Sequence, residues 1–211
     1  MKRALIHPSA TRQLCAEIVK LPGVTRRSLA PGQELATSEQ RQAYHVVVER
    51  GALAVRTANR VGTWSFVEIL GGGSCVSFGH DEWGAETERW AVAALLPTTV
   101  LLAPSDEYFH ALSSNVALAS AAAKAKARQH TALLRHLATL RIRRPLRRVA
   151  GTLIYLADML GETCPLAAGL KLPLTQTMIA SVAHLSRQTV NRELRRLHDG
   201  RQVCATRGMV C

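Results

Sequence analysis

Side chains that can pair with nucleic-acid bases cluster near the carboxyl end of the chain, between residues 174 and 203. Arginine pairs bidentately with guanine O6 and N7, and glutamine or asparagine pairs with adenine N6 and N7. Hydroxyl groups bind phosphate oxygens, which fixes the position of a protein on a duplex without selecting its sequence. The candidate base-contacting residues are Arg187, Gln188, Asn191 and Arg192, with Arg195 on the same face. The candidate phosphate-contacting residues are Thr175, Thr177, Ser186 and Thr189.

Two short helices must position these side chains. Thr175 suits the N-cap of the first helix, and Ser186 suits the N-cap of a second helix that begins at Arg187. Apolar residues at helical spacing follow each cap: Ile179, Val182 and Ala183, then Val190, Leu194 and Leu197. A small residue, Ala180, stands where the helices should cross, and Leu185 stands in the turn. This pattern predicts a helix-turn-helix whose second helix enters a major groove, with a solvated basic helix face as the alternative.

The positive charge of the chain is concentrated in its second half. Residues 1–110 carry 11 basic and 11 acidic side chains, whereas residues 111–211 carry 16 basic and 4 acidic ones, so the net charge of +12 belongs to the second half. A basic domain indicates a polyanionic partner. The longest uncharged runs have 16 residues, which is shorter than the roughly 20 that a membrane span needs. We therefore expect a cytoplasmic protein without a membrane partner.

The cysteines and the known catalytic motifs give no sign of metal or enzyme chemistry. The five cysteines are Cys15, Cys75, Cys164, Cys204 and Cys211, and the closest two are seven residues apart. This spacing predicts neither a disulfide framework nor a CxxC metal site. The sequence also has no phosphate-binding loop, HExxH or GxSxG motif. We therefore predict no cofactor, no metal site and no enzymatic activity.

Apolar patterning predicts strands in the first half of the chain and helices in the second. Short apolar runs separated by turn residues within residues 44–104 predict an antiparallel β roll or barrel. Alanine-rich sequence predicts one long helix over residues 105–140. A second helix should begin at Pro145 and stop at Gly161, and residues 163–172 should form a loop.

The predicted long helix has a heptad repeat. One heptad position holds Phe109, Val116, Ala123, His130 and Leu137, and the other holds Leu112, Ala119, Lys126, Leu133 and Leu140. Eight of these ten residues are apolar, which favours a paired helix and therefore a homodimer. The candidate dimer-interface residues are Leu112, Val116, Ala119, Ala123, Leu133, Leu137 and Leu140. A single amphipathic helix lying on the β domain is the alternative, because Lys126 and His130 interrupt the repeat.

Three segments carry a resemblance to a known family. They are LSRQTVNRELRRL at 185–197, RRVAGTLIYLADMLG at 147–161 and VVVERGALAV at 46–55. The first resembles the recognition-helix signature of the Crp/Fnr family of bacterial transcription regulators, the second its preceding helix, and the third the start of its nucleotide-binding β roll. In this resemblance Arg187, Gln188 and Arg192 fall on base-contacting positions.

The resemblance implies an α+β fold in three parts: a cyclic-nucleotide-binding-like antiparallel β roll over 1–108, a long dimerisation helix over 109–141, and a winged helix-turn-helix over 142–211. It further implies a homodimer that binds a pseudo-palindromic site in double-stranded DNA, with RNA polymerase as a partner. A partner-binding β module without DNA function is the alternative from a different class.

The segment that would bind a cyclic nucleotide departs from the family pattern. At residues 77–95, His80 stands where the family has a ribose-binding glutamate, and Arg89 is followed by Trp90 instead of a phosphate-binding hydroxyl residue. Leu133 and Leu134 stand where cyclic-AMP-binding members present hydroxyl groups to adenine. The candidate effector-binding residues are therefore His80, Arg89, Leu133 and Leu134, and we predict that cyclic AMP does not control the protein. In the turn of the helix-turn-helix, His184 replaces the usual glycine.

For the first domain we expect either no effector or an unknown apolar one, and haem-dependent sensing is the alternative. Cys75 and His80 offer a thiolate and an imidazole within one short segment, and such groups serve as axial ligands of haem. An iron–sulfur sensor would need a cysteine cluster near the amino end, and only Cys15 lies there.

Overall fold

The structure is a computed structural model that describes residues 8–37, 43–58, 64–78, 89–163, 170–206 and 209–210. The chain divides into two compact units, which we call the roll unit (His7–His130) and the helical unit (Thr131–Cys211). No helix in the described ranges is both long and apolar enough to cross a membrane.

The roll unit contains two four-stranded antiparallel sheets. Its elements are α1 (Pro8–Ile18), β1 (Thr25–Leu29), β2 (Glu34–Thr37), β3 (Tyr44–Arg50), β4 (Ala52–Ala58), β5 (Trp64–Gly71), β6 (Cys75–Phe78), β7 (Arg89–Ala94) and β8 (Thr98–Pro104). The strand orders are β1-β8-β3-β6 and β2-β7-β4-β5. The predicted antiparallel β roll is thus confirmed.

Strand β3 contributes side chains to two separate apolar cores of the roll unit. Val46 and Val48 face the core between the two sheets, whereas Val47 packs on the other side against α1 and the helices that follow the roll. Because both faces of β3 are covered, its apolar residues are consecutive rather than alternating. The turn into β4 requires Gly51, which has φ of +82° and whose Cβ would lie 2.3 Å from the carbonyl oxygen of Pro97.

Two helices follow the roll, not one. They are α2 (Ser105–Ser114) and α3 (Val116–Leu140). At the break, the backbone of Asn115 is extended, and its Oδ1 accepts a hydrogen bond from the amide of Leu118 at 3.0 Å. Asn115 therefore caps α3, and our prediction of one continuous helix over 105–140 is wrong at this residue. That prediction rested on the alanine and other apolar residues of 105–140, and such a pattern does not register a capping side chain.

The face of α3 that packs on the roll unit is not the heptad stripe. Leu118, Ala121, Ala122 and Ala125 are buried against the roll. Val116 is 84% exposed and Leu137 is 48% exposed, whereas Ala119, Leu133 and Leu140 are half-buried and Leu112, on α2, packs partly against the roll core. Helix α3 thus lies on the β domain through one face, as the alternative interpretation expected, and leaves part of the predicted dimer face exposed.

The helical unit holds the last part of α3 and a small mixed domain. Its further elements are α4 (Pro145–Leu160), β9 (Glu162–Thr163), β10 (Leu170–Lys171), α5 (Gln176–Ala183), α6 (Arg187–Asp199), β11 (Ala205–Thr206) and β12 (Met209–Val210). Strands β9 and β10 pair antiparallel, as do β11 and β12. We predicted only a loop over 163–172, and this is wrong at its ends, which are paired strands. Strands of two residues are too short to leave an alternating pattern in the sequence.

Helix α4 anchors the two helices that carry the candidate site. On its apolar side Val149, Leu153, Leu156 and Leu160 are buried, and Leu146 is half-buried. Helices α4, α5 and α6 pack pairwise against one another. The helix ends at Gly161, as predicted.

Candidate nucleic-acid interface

Both helices of the predicted motif begin at the expected caps. Thr175 Oγ1 accepts a hydrogen bond from the amide of Met178 at 3.2 Å, and Ser186 Oγ accepts one from the amide of Thr189 at 3.1 Å. Ser186 Oγ also lies 2.9 Å from Thr189 Oγ1. These bonds satisfy amides that have no partner inside a helix, so they fix where α5 and α6 start.

The turn between α5 and α6 bends through a left-handed residue. His184 has φ of 50° and ψ of 49°, the geometry that a glycine adopts freely and that costs other residues about 1 kcal/mol or more. The turn closes as in a Schellman motif, because the amide of Leu185 donates to the carbonyl oxygen of Ala180 at 3.0 Å and that of His184 donates to Ser181 at 3.3 Å. The departure from the usual glycine therefore leaves the turn geometry intact.

Helix α6 has one buried side and one basic exposed side. Val190, Leu194 and Leu197 are buried, and they hold α6 on the rest of the unit. The opposite side carries arginines and amides: Arg187, Gln188, Arg192 and Arg195 are exposed, and Asn191 is half-buried. Gln188, Asn191, Arg192, Arg195 and Arg196 line one shallow depression on this side. The predicted residues Gln188, Asn191, Arg192 and Arg195 therefore share one surface, and Arg187 is exposed at the start of the same helix.

Glu193 is a residue of this surface that was not predicted from the sequence. Its side chain is 2% exposed and pairs with two arginines: Oε1 lies 2.8 Å from Arg192 Nη2, and Oε2 lies 3.1 Å from Arg196 Nη1. Burial raises the pKa of this carboxyl, but the hydrogen bonds from Arg192 and Arg196 outweigh burial and hold the pKa below its ordinary value. Glu193 thus stays charged and fixes both guanidinium groups. Its position as the single carboxylate between Arg187 and Arg196 was the available signal.

The candidate phosphate-contacting residues lie at the starts of the two helices. Thr175, Thr177 and Ser186 are exposed, and Thr189 is half-buried. Thr175 and Ser186 use their hydroxyl oxygens as acceptors in the caps; Thr175 keeps its own proton for donation, and because Ser186 and Thr189 share one hydrogen bond, one of their two hydroxyl protons stays free to donate. A phosphate oxygen next to either cap could accept that proton.

The structure describes only part of the candidate effector-binding set. His80 lies outside the described residues, and of Arg89 only the backbone is described, at the start of β7. Trp90, the neighbour that replaces a hydroxyl residue, is buried in the core between the sheets. Leu133 is half-buried and Leu134 is 52% exposed, both on α3.

Cys75 occupies the place of a small apolar core residue. It is fully buried beside Leu118 and Ala122, and burial raises the pKa of its thiol. Its amide donates to Gln129 Oε1 at 3.3 Å, and its carbonyl oxygen accepts from Lys126 Nζ at 2.8 Å. Because His80 is not described, the pair of haem ligands stays a prediction. Within the described part of the chain, no three His, Cys, Asp or Glu side chains form a group that could hold a metal ion.

Comparison with known proteins identifies the domain that carries these helices. Residues 147–209 match the family model of the Crp-like helix-turn-helix domain. The carboxyl-terminal part of the chain is a Crp-like helix-turn-helix domain. No curated protein matches the chain.

Solved structures extend the likeness over nearly the whole chain. TTHB099 of Thermus thermophilus, a transcriptional regulator of the CRP family, is 17% identical, with 87% of this chain and 90% of that one covered at a TM-score of 0.67. A cyclic nucleotide-binding domain containing protein from Listeria monocytogenes EGD-e is 13% identical, with 96% and 97% covered at 0.77. FixK2 of Bradyrhizobium japonicum is 18% identical, with 89% and 91% covered at 0.64.

These likenesses establish the architecture. The chain has the fold of Crp/Fnr regulators, and the resemblance seen in the sequence is confirmed. The Crp-like domain and the shared fold support a transcription regulator of this type.

Proposed function

We propose that the protein is a sequence-specific DNA-binding transcription regulator that binds a pseudo-palindromic operator as a homodimer and is not controlled by cyclic AMP. It acts in the cytoplasm together with RNA polymerase, and no enzymatic activity is part of the proposal. The observation that carries it is the exposed side of α6, where Arg187, Gln188 and Arg192 stand on a helix whose other side is buried.

Base selection comes from the arginines and amides of α6 in the Crp-like domain. Arg187 and Arg192 pair with guanines, and Gln188 and Asn191 pair with adenines, through base edges that only the major groove distinguishes fully. The hydroxyl groups of Thr175, Thr177, Ser186 and Thr189 bind phosphates and set the depth of the helix in the groove.

Homodimerisation uses the exposed part of the heptad stripe. Val116 and Leu137 are each about half exposed or more, while Leu118 and Ala125 on another face are buried against the roll. A row of exposed apolar residues along one helix is unfavourable in water and supports a second copy of the same helix as its partner. Two copies of α6 would then meet half-sites about one helical turn apart.

Independence from cyclic AMP rests on missing polar partners. A cyclic phosphate needs donors for its charged oxygens, and the indole of Trp90 in the core offers no hydroxyl in place of the family's one. Leu133 and Leu134 offer no hydroxyl to an adenine either.

Selection of bound duplexes from a random DNA pool tests the proposed function. The expected result is a two-fold related sequence with half-sites about one helical turn apart. Gel shifts of the selected duplex should weaken steeply with salt, because bound arginines release counterions from the phosphates. Recovery of no enriched sequence, together with no binding of duplex DNA at low salt, would overturn the proposal in favour of a partner-binding module.

A further inference from the structure

A second group of basic side chains lies where α3 meets α4. Four arginines there are exposed, and we call them the junction arginines: Arg141, Arg143, Arg144 and Arg147. The neighbouring Arg148 is half-buried and donates from Nε to the carbonyl oxygen of Ile142 at 2.8 Å, so it holds the junction together. The sequence contains no Asp or Glu from Tyr108 to Ala157, so no carboxylate close in sequence neutralises the four.

The junction arginines do not serve the folding of α4. Arg144 takes the N-cap position and makes no capping hydrogen bond, and the first turn contains Arg147 but no acidic residue. Helix starts favour Ser, Thr, Asp or Asn caps and negative charges, so cations here are locally unfavourable. Residues that make a helix start less favourable, and that make no stabilising contact in return, are expected to serve another purpose such as binding.

We propose that the junction arginines bind the phosphate backbone of the same duplex that α6 contacts, outside the bases that α6 selects. This inference rests on the proposed function. Duplex DNA carries one negative charge per about 1.7 Å of its axis, which matches a dense group of arginines with no Asp or Glu close in sequence. The charges would add affinity without adding sequence preference.

The position of the arginines within the helical unit fits this partner. Helix α4 has 16 residues, which gives a length of about 24 Å. It packs against α6, and Ala150 and Leu153 of α4 line one apolar pocket together with Leu197 of α6. The start of α4 therefore lies within about one helix length of α6, less than the roughly 34 Å of one duplex turn. A duplex seated on α6 extends beyond that distance in both directions.

The test compares two double variants of the full-length protein. Arg143→Gln with Arg147→Gln removes two junction charges, and Arg27→Gln with Arg50→Gln removes two exposed charges from the roll unit. Binding to the selected duplex and to a random duplex is measured as a function of salt. The junction variant should weaken both duplexes by the same factor, and its log–log salt slope should fall by about 0.9 for every phosphate that it no longer neutralises. The roll variant should keep the wild-type slope.

The outcomes separate this inference from the proposed function. If wild type binds no DNA, the proposed function fails. If wild type binds and the junction variant keeps the wild-type slope, or the roll variant shows an equal fall in slope, the inference alone is overturned. Arg143→Lys with Arg147→Lys should restore the slope, because the charge returns. If the first variant does not fold by circular dichroism, Arg141→Gln with Arg144→Gln provides the same measurement.

Discussion

Arg192 and Glu193 are sequence neighbours that form an ion pair, with 2.8 Å between Arg192 Nη2 and Glu193 Oε1, although one side chain is 63% exposed and the other 2%. The buried carboxylate of Glu193 also forms an ion pair with Arg196, which lies on the next turn of α6. It therefore orients two guanidinium groups at the surface proposed to face DNA. A bidentate contact with guanine needs a guanidinium in a fixed plane, so Glu193 acts as a positioning residue for Arg192.

Replacing Glu193 by Gln should lower discrimination without lowering binding to random DNA. The variant frees Arg192 and removes a negative charge close to the phosphates, so selection of one base pair in each half-site relaxes by up to about 1–3 kcal/mol. The measurement is competition between the selected duplex and single-base variants of it. Asp199→Asn, which removes an exposed carboxylate from the same helix, is the matched control and should leave discrimination unchanged. If both variants lose discrimination equally, the change in net charge, and not the positioning of Arg192, is responsible for the loss.

Arg187→Ala and Arg192→Ala should each relax preference at one base pair of each half-site, by about 1–3 kcal/mol. Thr175→Ala should instead weaken all sequences about equally, because it removes a phosphate contact. Since Thr175 also caps α5, that variant should lose about 1 kcal/mol of stability and is assayed well below its melting temperature. If both arginine variants weaken specific and random DNA by the same factor, these arginines position the helix and do not select bases.

Val116→Asp with Leu137→Asp should convert the homodimer to a monomer. Both residues are exposed within one chain, so the charges disturb only an interface between chains. Sedimentation measures the mass, and Ala117→Asp with Ala138→Asp, exposed residues beside the stripe on the same helix, should stay dimeric. A monomeric wild type, or an unchanged mass of the first variant, would show that the stripe is not the dimer interface.

Capping residues determine how well the starts of the helices could be predicted from the sequence. Thr175 and Ser186 are hydroxyl residues immediately before apolar residues at helical spacing, so the starts of α5 and α6 follow from local chemistry. The same chemistry occurs at Asn115, but the alanine content around it favours an unbroken helix and masks the cap. Capping by Asn is as strong as capping by Ser, so this break was predictable.

Other features depend on contacts that no local pattern carries. The pairing of β9 with β10 rests on two residue pairs, Leu170 with Thr163 and Lys171 with Glu162. The burial of Glu193 depends on how α6 seats against its neighbours, since a carboxylate in a basic helix is normally a solvated ion-pair partner. Likewise, the heptad repeat alone could not tell which face of α3 packs on the roll, because alanines at other positions fill that face.

Cyclic AMP and cyclic GMP should bind weakly or not at all. The missing hydroxyl beside Arg89 leaves the phosphate half-paired, and the leucines at 133 and 134 offer the base no hydroxyl; unpaired polar groups in a pocket cost about 1–3 kcal/mol each. Calorimetry with each nucleotide provides the measurement. A dissociation constant in the low micromolar range for either one would show that a different set of residues binds it.

Mild acid should destabilise the helical unit through His136. Its ring is buried and stacks on Tyr155 with 4.2 Å between centroids. Burial, aided by the nearby His184, lowers the pKa of His136 to about 4, against a hydrogen bond with the backbone of Val182 that raises it. The unfolded chain binds a proton near pH 6.5 and the folded chain does not. The stabilisation is therefore complete above pH 6.5 and is lost as the pH falls towards 4.

Urea unfolding of the full chain between pH 7 and pH 5 measures this effect. Each such histidine should lower the free energy of unfolding by about 1.4 kcal/mol per pH unit below 6.5. His136→Phe keeps an aromatic ring against Tyr155 and removes the titrating group, so its pH dependence should be flatter by that amount. The buried His45 of the roll unit, whose pKa burial lowers to about 3, leaves a second contribution in place. His110→Gln, at an exposed site on α2, should retain the full wild-type slope. An unchanged slope in His136→Phe would mean that the imidazole titrates alike in the folded and unfolded chains, which its burial against Tyr155 argues against.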